Sequence, residues 1–415
     1  MSGSGQNPGG NEDHLSGGPG SETIDWELEG VDRRTTKNVV DNIARLGPVD
    51  RKALAKVLST GRTTLARAVG DLLDARILIE LDTPPQGRGR PHTLLAVNPR
   101  AASAIGLDFG LRHIRGAIVD AAHNTLATVE RDTSMDYPLE VAVDVATELA
   151  SELVASATGP IVGVGVALPG PVDRAAMSLT RSSILPDWAG IPVLKHFAGR
   201  INYPLFADNE SNLAAYAEKL WGAATDTQSM IYLKLHSGLG GAVMMNGQII
   251  RGHRGAAGEF GHLSWDARGR RCRCGNRGCL EASIGIPNLL VRMSVGRTHE
   301  LSLGDAMRLV TEGDQACHDV IRQAGRDAGR ALGTLSNALD PACIVIGGAL
   351  LGFGAPLLDG IEAGYRGSAL PMHAGIPIRR AKLGRWASAL GATGFVFASG
   401  FDELLARSWR RAPSA

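Results

Sequence analysis

Three of the five cysteines in this chain lie close together at Cys272, Cys274 and Cys279, and His262 stands ten residues before the first of them. Thiolate and imidazole groups are the ligands that Zn²⁺ prefers in structural sites, where four of them surround the ion as a tetrahedron. The arginines beside these cysteines would favour the deprotonated thiols that bind metal. Because Cys-x-Cys is not the commonest zinc spacing, three free thiols in a basic loop remain the alternative. The spacing favours zinc over that alternative.

A second group of residues suited to chemistry is a set of arginines near the N-terminus. Residues 32–99 carry twelve Lys and Arg against seven Asp and Glu, whereas residues 1–31 carry six acids and no Lys or Arg. The formal charge of the whole 415-residue chain is only +1, which excludes a uniformly basic nucleic-acid coat. A small basic segment beside a nearly neutral body is typical of a nucleic-acid-binding module joined to another domain. The acidic segment 1–31 is predicted to be a disordered tail.

The elements that would position these arginines are three helices and a hairpin within residues 32–99. Apolar spacing predicts a first helix near 39–46, a second helix capped by Asp50 with Val57 facing inward, and a third helix over 62–75. The third helix would present side chains that fit a DNA major groove: Arg62, Thr63, Thr64 and Arg67. Two short strands around Gly-Arg-Gly-Arg-Pro would form a wing, with Arg88 and Arg90 along the minor groove.

Over about residues 33–99 this segment resembles the winged helix-turn-helix domain of bacterial repressors. Three short helices on their own are equally typical of a small protein-interaction module with a flexible loop. The charge contrast and the arginine-glycine loop favour DNA over that alternative.

Strands followed by glycine turns recur in the rest of the chain. One series runs through 104–110 and 161–173, and a second through 230–245 and 344–348. The repetition predicts two α/β lobes of similar design that face a cleft. We place the lobes at 100–225 and 226–415, with a C-terminal helix that packs back on the first lobe. Because no segment is typical of a membrane helix or a signal peptide, we expect a cytoplasmic protein.

The cysteine segment is also the strongest family signature. Residues 251–262, followed by Cys-x-Cys-Gly-x-x-Gly-Cys-x-Glu at 272–281, resemble the ROK family of repressors, open reading frames and sugar kinases. The resemblance covers about residues 33–400. It implies an α/β fold in which a winged helix-turn-helix module precedes a two-lobed, actin-like, sugar-kinase-like body.

The same resemblance implies the residues of two sites. One structural Zn²⁺ per chain would be bound by His262, Cys272, Cys274 and Cys279. Sugar hydroxyls in the cleft would be held by Asn209, Glu259, His262 and Glu281, together with Glu210. If one nitrogen of His262 binds zinc, its other N–H can reach a sugar hydroxyl, so the metal would shape the sugar site without taking part in chemistry.

Two departures from the pattern of ROK kinases bear on catalysis. Those kinases carry Asp-x-Gly-Gly-Thr in a phosphate loop, where this chain has Leu111 and Arg112 after Asp-Phe-Gly. The leucine side chain would crowd the approach of the backbone to phosphate. The kinases also use an aspartate as the base in Asn-Asp-x-Asn, where this chain has Glu210, which is one methylene longer. Together with a DNA-binding module, these departures predict a non-enzyme with no catalytic residues.

The sequence therefore predicts a DNA-binding transcriptional regulator, a repressor, that is controlled by a sugar or sugar phosphate. A homodimer or homotetramer would place the winged modules on an inverted-repeat operator. One alternative is an active or bifunctional ATP-dependent sugar kinase. Another is a zinc-sensing repressor, which is disfavoured because a closed site of four protein ligands stays filled.

Overall fold

An N-terminal module of three helices and one hairpin opens the described part of the chain. The computed structural model describes residues 33–82, 93–173, 178–180 and 185–400, so the predicted acidic tail, Arg88 and Arg90 lie outside the described residues. The elements of the module are α1 (Arg33–Leu46), α2 (Arg51–Leu58), α3 (Arg62–Asp74), β1 (Leu78–Asp82) and β2 (Thr93–Val97). The two strands pair antiparallel, with Leu78 opposite Val97.

Helix α2 shows how local sequence determines the module. Asp50 is its N-cap, as predicted, and the carboxylate accepts hydrogen bonds from the backbone N–H groups of Lys52 and Ala53 at 2.8 and 2.9 Å. Val57 does not face inward as expected, because 47% of its surface is exposed. Leu54 is the one residue of this eight-residue helix that is buried, and the neighbouring elements leave Val57, on the edge of the same face, uncovered.

The first of two larger sheets follows the module. Its region contains β3 (Ser103–Phe109), β4 (His113–Asp120), β5 (Thr125–Asp132), α4 (Leu139–Val154), β6 (Ile161–Leu168), β7 (Val172–Asp173), β8 (Ser178–Leu179), α5 (Val193–Ala198), β9 (Leu205–Asn209) and α6 (Glu210–Leu220). The five strands lie in the order β5-β4-β3-β6-β9, while β7 and β8 form a separate pair. The first three strands are antiparallel, and β6 and β9 run parallel to β3.

The second larger sheet repeats this design. Its region contains β10 (Met230–Leu235), β11 (Leu239–Met245), β12 (Gln248–Ile250), α7 (Leu280–Ile284), α8 (Ile286–Met293), α9 (Leu303–Thr311), α10 (Gln315–Leu339), β13 (Cys343–Gly347), α11 (Ala355–Arg366) and β14 (Ile378–Arg380). The order is β12-β11-β10-β13-β14, again three antiparallel strands followed by two parallel ones. The predicted α/β fold, with two lobes of similar design behind a helical module, is confirmed.

The last helix, α12 (Ala387–Ser399), returns to the first sheet and packs on β3 and β6. Gly165 on β6 makes this close approach possible, because a Cβ at that position would overlap the carbonyl oxygen of Ala392. Near its C-terminal end, the buried Val396 shares a hydrophobic cluster with Val39 and Ile43 of α1. The module and the first lobe therefore share one core, and α12 is part of it. Among the helices of the described ranges, none combines the length and apolarity needed to cross a membrane.

Candidate functional site

A cavity of about 700 Å³ lies between the two larger sheets. Side chains from both lobes line it, from Asp108 at the end of β3 to Lys234 at the end of β10. Its wall also includes Ala387 and Ser388, the first residues of α12. All five predicted sugar-binding residues line this cavity: Asn209, Glu210, Glu259, His262 and Glu281. The fold thus brings together residues that are up to 72 positions apart in the sequence.

Asn209 is fixed by the start of helix α6. Its side-chain oxygen caps the helix by accepting hydrogen bonds from the backbone N–H groups of Ser211 and Asn212, and its amide nitrogen donates to the carbonyl of Gly170 at 2.8 Å. The amide nitrogen has a second hydrogen to donate. Asn209 is therefore a rigid donor at the cavity wall, with its orientation determined by the fold.

Two carboxylates face the cavity from the second lobe. Glu281, in the first turn of α7, is buried and accepts a hydrogen bond from the backbone N–H of Leu239 at 2.9 Å. Burial raises the pKa of Glu259 to about 7, and the nearby carboxylates of Glu281 and Glu210 act in the same direction. Near neutral pH, Glu259 can therefore act as a donor or an acceptor toward a ligand that carries hydroxyl groups.

The predicted metal ligands form one cluster beside this cavity. The ligand atoms of His262, Cys272, Cys274 and Cys279 all lie within 4.8 Å of one another. Cys272 Sγ lies 3.7 Å from His262 Nδ1, and the Sγ atoms of Cys274 and Cys279 are 3.6 Å apart. With metal–ligand bonds of about 2.0–2.3 Å, a tetrahedral zinc ion would have donor atoms roughly 3.5–3.8 Å apart. These four residues fit a metal ion in both donor chemistry and spacing.

Local backbone structure assembles this cluster. Residues 260–262 form a single 3₁₀ turn, and the loop that follows folds back on itself, with the Cys272 N–H donating to the Asn276 carbonyl. Burial and the neighbouring thiols raise the pKa of Cys279 to about 12. A bound cation would reverse this effect, because the thiolate is the form that coordinates metal.

His262 connects the cysteine cluster to the cavity. Its Nδ1 faces the cysteine thiols, while its Nε2 lies 3.6 Å from an oxygen of Glu259 on the cavity side. A metal ion held at Nδ1 would fix the ring orientation and leave Nε2–H as a donor toward the cavity. The arrangement predicted for His262 is therefore sterically available.

The residues that differ from the kinase pattern also line this cavity. Leu111 and Arg112 line the wall after β3. The carboxylate of Glu210 forms an ion pair with Lys234, whose Nζ donates a hydrogen bond to it at 2.8 Å. Burial raises the pKa of the nearby Asp108 to about 7, against the opposing charge of Lys234. The two carboxylates and the lysine share one small region of the cleft.

The predicted DNA-contacting residues of α3 form a separate surface. Arg62, Thr63, Thr64 and Arg67 are all exposed at the N-terminal end of the helix, while Leu65 and Val69 on the opposite face are buried. This arrangement leaves the four side chains accessible to a partner.

Sequence reasoning missed two partly buried ion pairs that join the lobes. Lys234 on β10 pairs with Glu210 at the start of α6, and Arg251 after β12 pairs with Asp208 on β9 at 2.6 Å. A lysine within the otherwise apolar strand Met-Ile-Tyr-Leu-Lys-Leu was the signal that could have indicated the first pair. No comparable local signal marks the second.

Comparisons with known proteins agree with this geometry. The sequence profile of the ROK family matches residues 104–398 of the chain. The xylose repressor of Bacillus spizizenii is 25% identical over 370 residues, which cover 88% of this chain and 95% of that repressor. The glucokinase of Streptomyces coelicolor is 30% identical over 280 residues, which cover 63% of this chain and 86% of the glucokinase.

A solved structure is similar to most of the chain, including more than the family profile covers. A ROK family transcriptional regulator, a homologue of the Escherichia coli MLC protein, superposes with a TM-score of 0.75 at 24% identity. The alignment covers 91% of this chain and 99% of that regulator. This similarity shows a common fold.

Proposed function

This chain belongs to the ROK family, and we propose that it is a transcriptional repressor whose operator affinity is controlled by a sugar bound between its lobes. The observation that carries the proposal is the hydrophobic core that the N-terminal module, which resembles a winged helix-turn-helix domain, shares with the first lobe. That lobe also forms one wall of the polar cleft. The similarity to a xylose repressor over 88% of this chain supports it.

For DNA, we propose that α3 enters the major groove with Arg62, Thr63, Thr64 and Arg67. All four side chains are exposed at the N-terminal end of the helix, which is the end that reaches base edges in helix-turn-helix proteins. Arg88 and Arg90 would follow the minor groove from the wing. A homodimer or homotetramer would present two such modules to an inverted repeat.

For the effector, we propose a sugar or sugar phosphate held by Asn209, Glu210, Glu259, His262 and Glu281. Paired hydroxyl groups match an amide donor, carboxylate acceptors and an imidazole N–H on the wall of one cavity. The side chains of Asn209 and Glu281 are already fixed by hydrogen bonds from backbone N–H groups. The entropic cost of ordering these two side chains on sugar binding is therefore reduced.

For the metal, we propose one structural Zn²⁺ per chain at His262, Cys272, Cys274 and Cys279. Three thiolates and one imidazole are a typical closed zinc set. When bound, the ion supplies structural cross-linking and no reactive water, because no coordination position remains open. Its consequence for the cleft is the fixed orientation of His262, whose Nε2 side faces Glu259.

Two helices offer a route from the cleft to the DNA module. Helix α12 lines the cavity with Ala387 and Ser388, and about 14 Å along the helix Val396 packs in the core shared with α1. Helix α6 begins at the cavity with Asn209 and is followed by Trp221, whose indole N–H donates to His123. We propose that closure of the cleft on a sugar shifts this helix pair and with it the spacing of two modules in the oligomer.

The second candidate function is an ATP-dependent sugar kinase. It is favoured by the similarity to a glucokinase at 30% identity and by the carboxylate of Glu210 in the base position. The pairing of Glu210 with Lys234 weighs against it, since a base committed to an ion pair is less available for a proton. Release of ADP from ATP with a panel of sugars tests this function, with Glu210→Ala as the matched variant.

The proposed repressor function is tested by an operator-shift assay. The DNA upstream of the protein's own gene and its neighbours is incubated with the chain, alone and with each member of a sugar panel. A shift that one sugar releases is the expected result. A chain that is fully folded and zinc-loaded yet shifts none of these DNAs contradicts the proposal, and turnover of ATP with a sugar would then support the kinase.

A further inference from the structure

Lys234 is a charged residue in an unusual position, within the central strand of the second sheet. Strand β10 is otherwise apolar and almost fully buried, and it pairs with β11 on one side and β13 on the other. Only 21% of the lysine side chain is exposed. An ammonium group in such a position costs free energy unless a partner compensates it.

The compensating partner lies across the cleft. Lys234 Nζ donates to Glu210 at 2.8 Å, and the glutamate side chain is only 10% exposed. Asp108, at the end of β3 in the first lobe, lines the same cavity and lies close enough for the lysine charge to lower its pKa. One carboxylate oxygen of Asp108 is buried and has no hydrogen-bond partner among the described residues. The ammonium group therefore pairs with Glu210, and Asp108 from the first lobe is a second carboxylate within range of its charge.

A kinase would need a different cation at this place. Phosphoryl-transfer sites place Mg²⁺ between carboxylates and the nucleotide phosphates, and the ion keeps an octahedral shell of oxygen ligands. In this chain a lysine from β10 already neutralises Glu210, and the side chain of Leu111 lines the neighbouring wall. The residues present do not fit a metal–nucleotide complex.

We propose that Lys234 is a built-in counter-ion that takes the place of a divalent cation between Asp108 and Glu210, so that the cleft admits a sugar and excludes a metal–nucleotide complex. This inference deepens the proposed function, since it identifies the residue that makes the cleft a binding site for sugar alone. The cationic groups around Asp108 are Lys234 and Arg115, and Arg115 is paired with Glu130 at 2.8 Å. Arg115 therefore has a partner of its own, whereas Lys234 pairs with Glu210 and lines the same cavity as Asp108.

The test uses the full chain, loaded with zinc, and Mn²⁺ alone as the probe. Free Mn²⁺ is counted by electron paramagnetic resonance during titration of the wild-type chain, Lys234→Met and the charge-keeping control Lys234→Arg. We expect Lys234→Met to bind one additional Mn²⁺ with an affinity on the order of tenfold or more above the wild-type chain, because removing a nearby positive charge favours a cation. Lys234→Arg should behave like the wild-type chain.

A double variant identifies the new site. Adding Glu210→Gln to Lys234→Met should remove the additional Mn²⁺ site. If Lys234→Met does not fold, Lys234→Gln, which keeps a polar side chain, takes its place as the single variant. Equal Mn²⁺ affinity of the wild-type chain and the folded single variants would overturn the proposal. So would an additional site that survives Glu210→Gln, or binding of Mg²⁺ with a non-hydrolysable ATP analogue to the wild-type chain. None of these readouts involves DNA, so failure of the operator-shift assay and failure of this inference are distinguishable.

Discussion

Replacing Asp108 by asparagine should stabilise the protein at alkaline pH and have little effect on its stability in acid. Asp108 is 3% exposed, and one of its oxygens has no hydrogen-bond partner among the described residues. Burial raises its pKa from 3.8 to about 7, although Lys234 acts in the opposite direction. The folded protein therefore prefers the neutral acid, while the unfolded chain ionises near pH 4.

The sign and size of the effect follow from this difference. Because the pKa of Asp108 is higher in the folded state, the stability present below about pH 4 is lost as the pH rises through about 7. A shift from 3.8 to about 7 corresponds to a loss of about 4 kcal/mol once both states are ionised. Asparagine has nearly the same shape and no charge, so Asp108→Asn avoids this loss. Between pH 5 and pH 8, its advantage over the wild-type chain should grow by roughly 2–3 kcal/mol.

Urea unfolding of the two chains at pH 5 and pH 8 measures this advantage. Comparing the chains at the same pH cancels the contributions of titrating groups that do not interact with Asp108, such as the cysteines and histidine of the predicted metal site. Asp132→Asn, at the exposed end of β5, is the matched control and should leave the difference between pH values unchanged. If Asp108→Asn loses stability equally at both pH values, the carboxylate makes favourable interactions that outweigh its burial, and the reasoning is wrong.

The N-terminal module, the predicted metal ligands and helix α12 can each be tested by a single substitution. Arg67→Ala should weaken operator binding in gel-shift titrations by about 1–3 kcal/mol and leave sugar affinity unchanged. The control Lys195→Ala removes the same charge from α5 and should leave operator binding unchanged. Cys279→Ser should lower the zinc content measured by elemental analysis and weaken sugar binding in calorimetry, because His262 loses its fixed orientation; full zinc occupancy in this variant would refute the ligand set. Val396→Ala should cost about 1–3 kcal/mol of stability and reduce the sugar-induced release of operator at unchanged sugar affinity; an unchanged release ratio would exclude α12 from the route.

Several features of the fold were predictable because neighbouring residues encode them. Asp50 is the N-cap that its position before an apolar helix predicts, and its carboxylate accepts two backbone hydrogen bonds. The glycine-turn repeats predicted two similar lobes, and the two sheets have matching strand orders. The predicted metal residues come together because they lie within 18 positions of one another, in a turn and a folded-back loop. The division of the chain at residues 99 and 225 stays a prediction.

The rest depends on contacts between distant segments. Val57 was wrongly expected to be buried, because in a short helix the neighbouring elements decide which of two adjacent faces is covered. The pair of Lys234 with Glu210 joins residues 24 positions apart on different lobes, and that of Arg251 with Asp208 joins residues 43 positions apart. Periodicity describes a single element, so it does not show which charges meet across a cleft.

The buried charges of the cleft give a physical reason to regard it as a binding site. Glu281 is buried against a backbone N–H, Asp108 is held at a pKa near 7, and Lys234 interrupts an apolar strand. Apolar side chains of similar volume at these positions would commonly leave a protein equally or more stable. The free-energy cost of burying these charged groups in one cavity is explained if they are positioned to bind a polar ligand. Because Ala387 of α12 lines that cavity and Val396 of the same helix packs against the N-terminal module, a ligand that moves α12 acts on both.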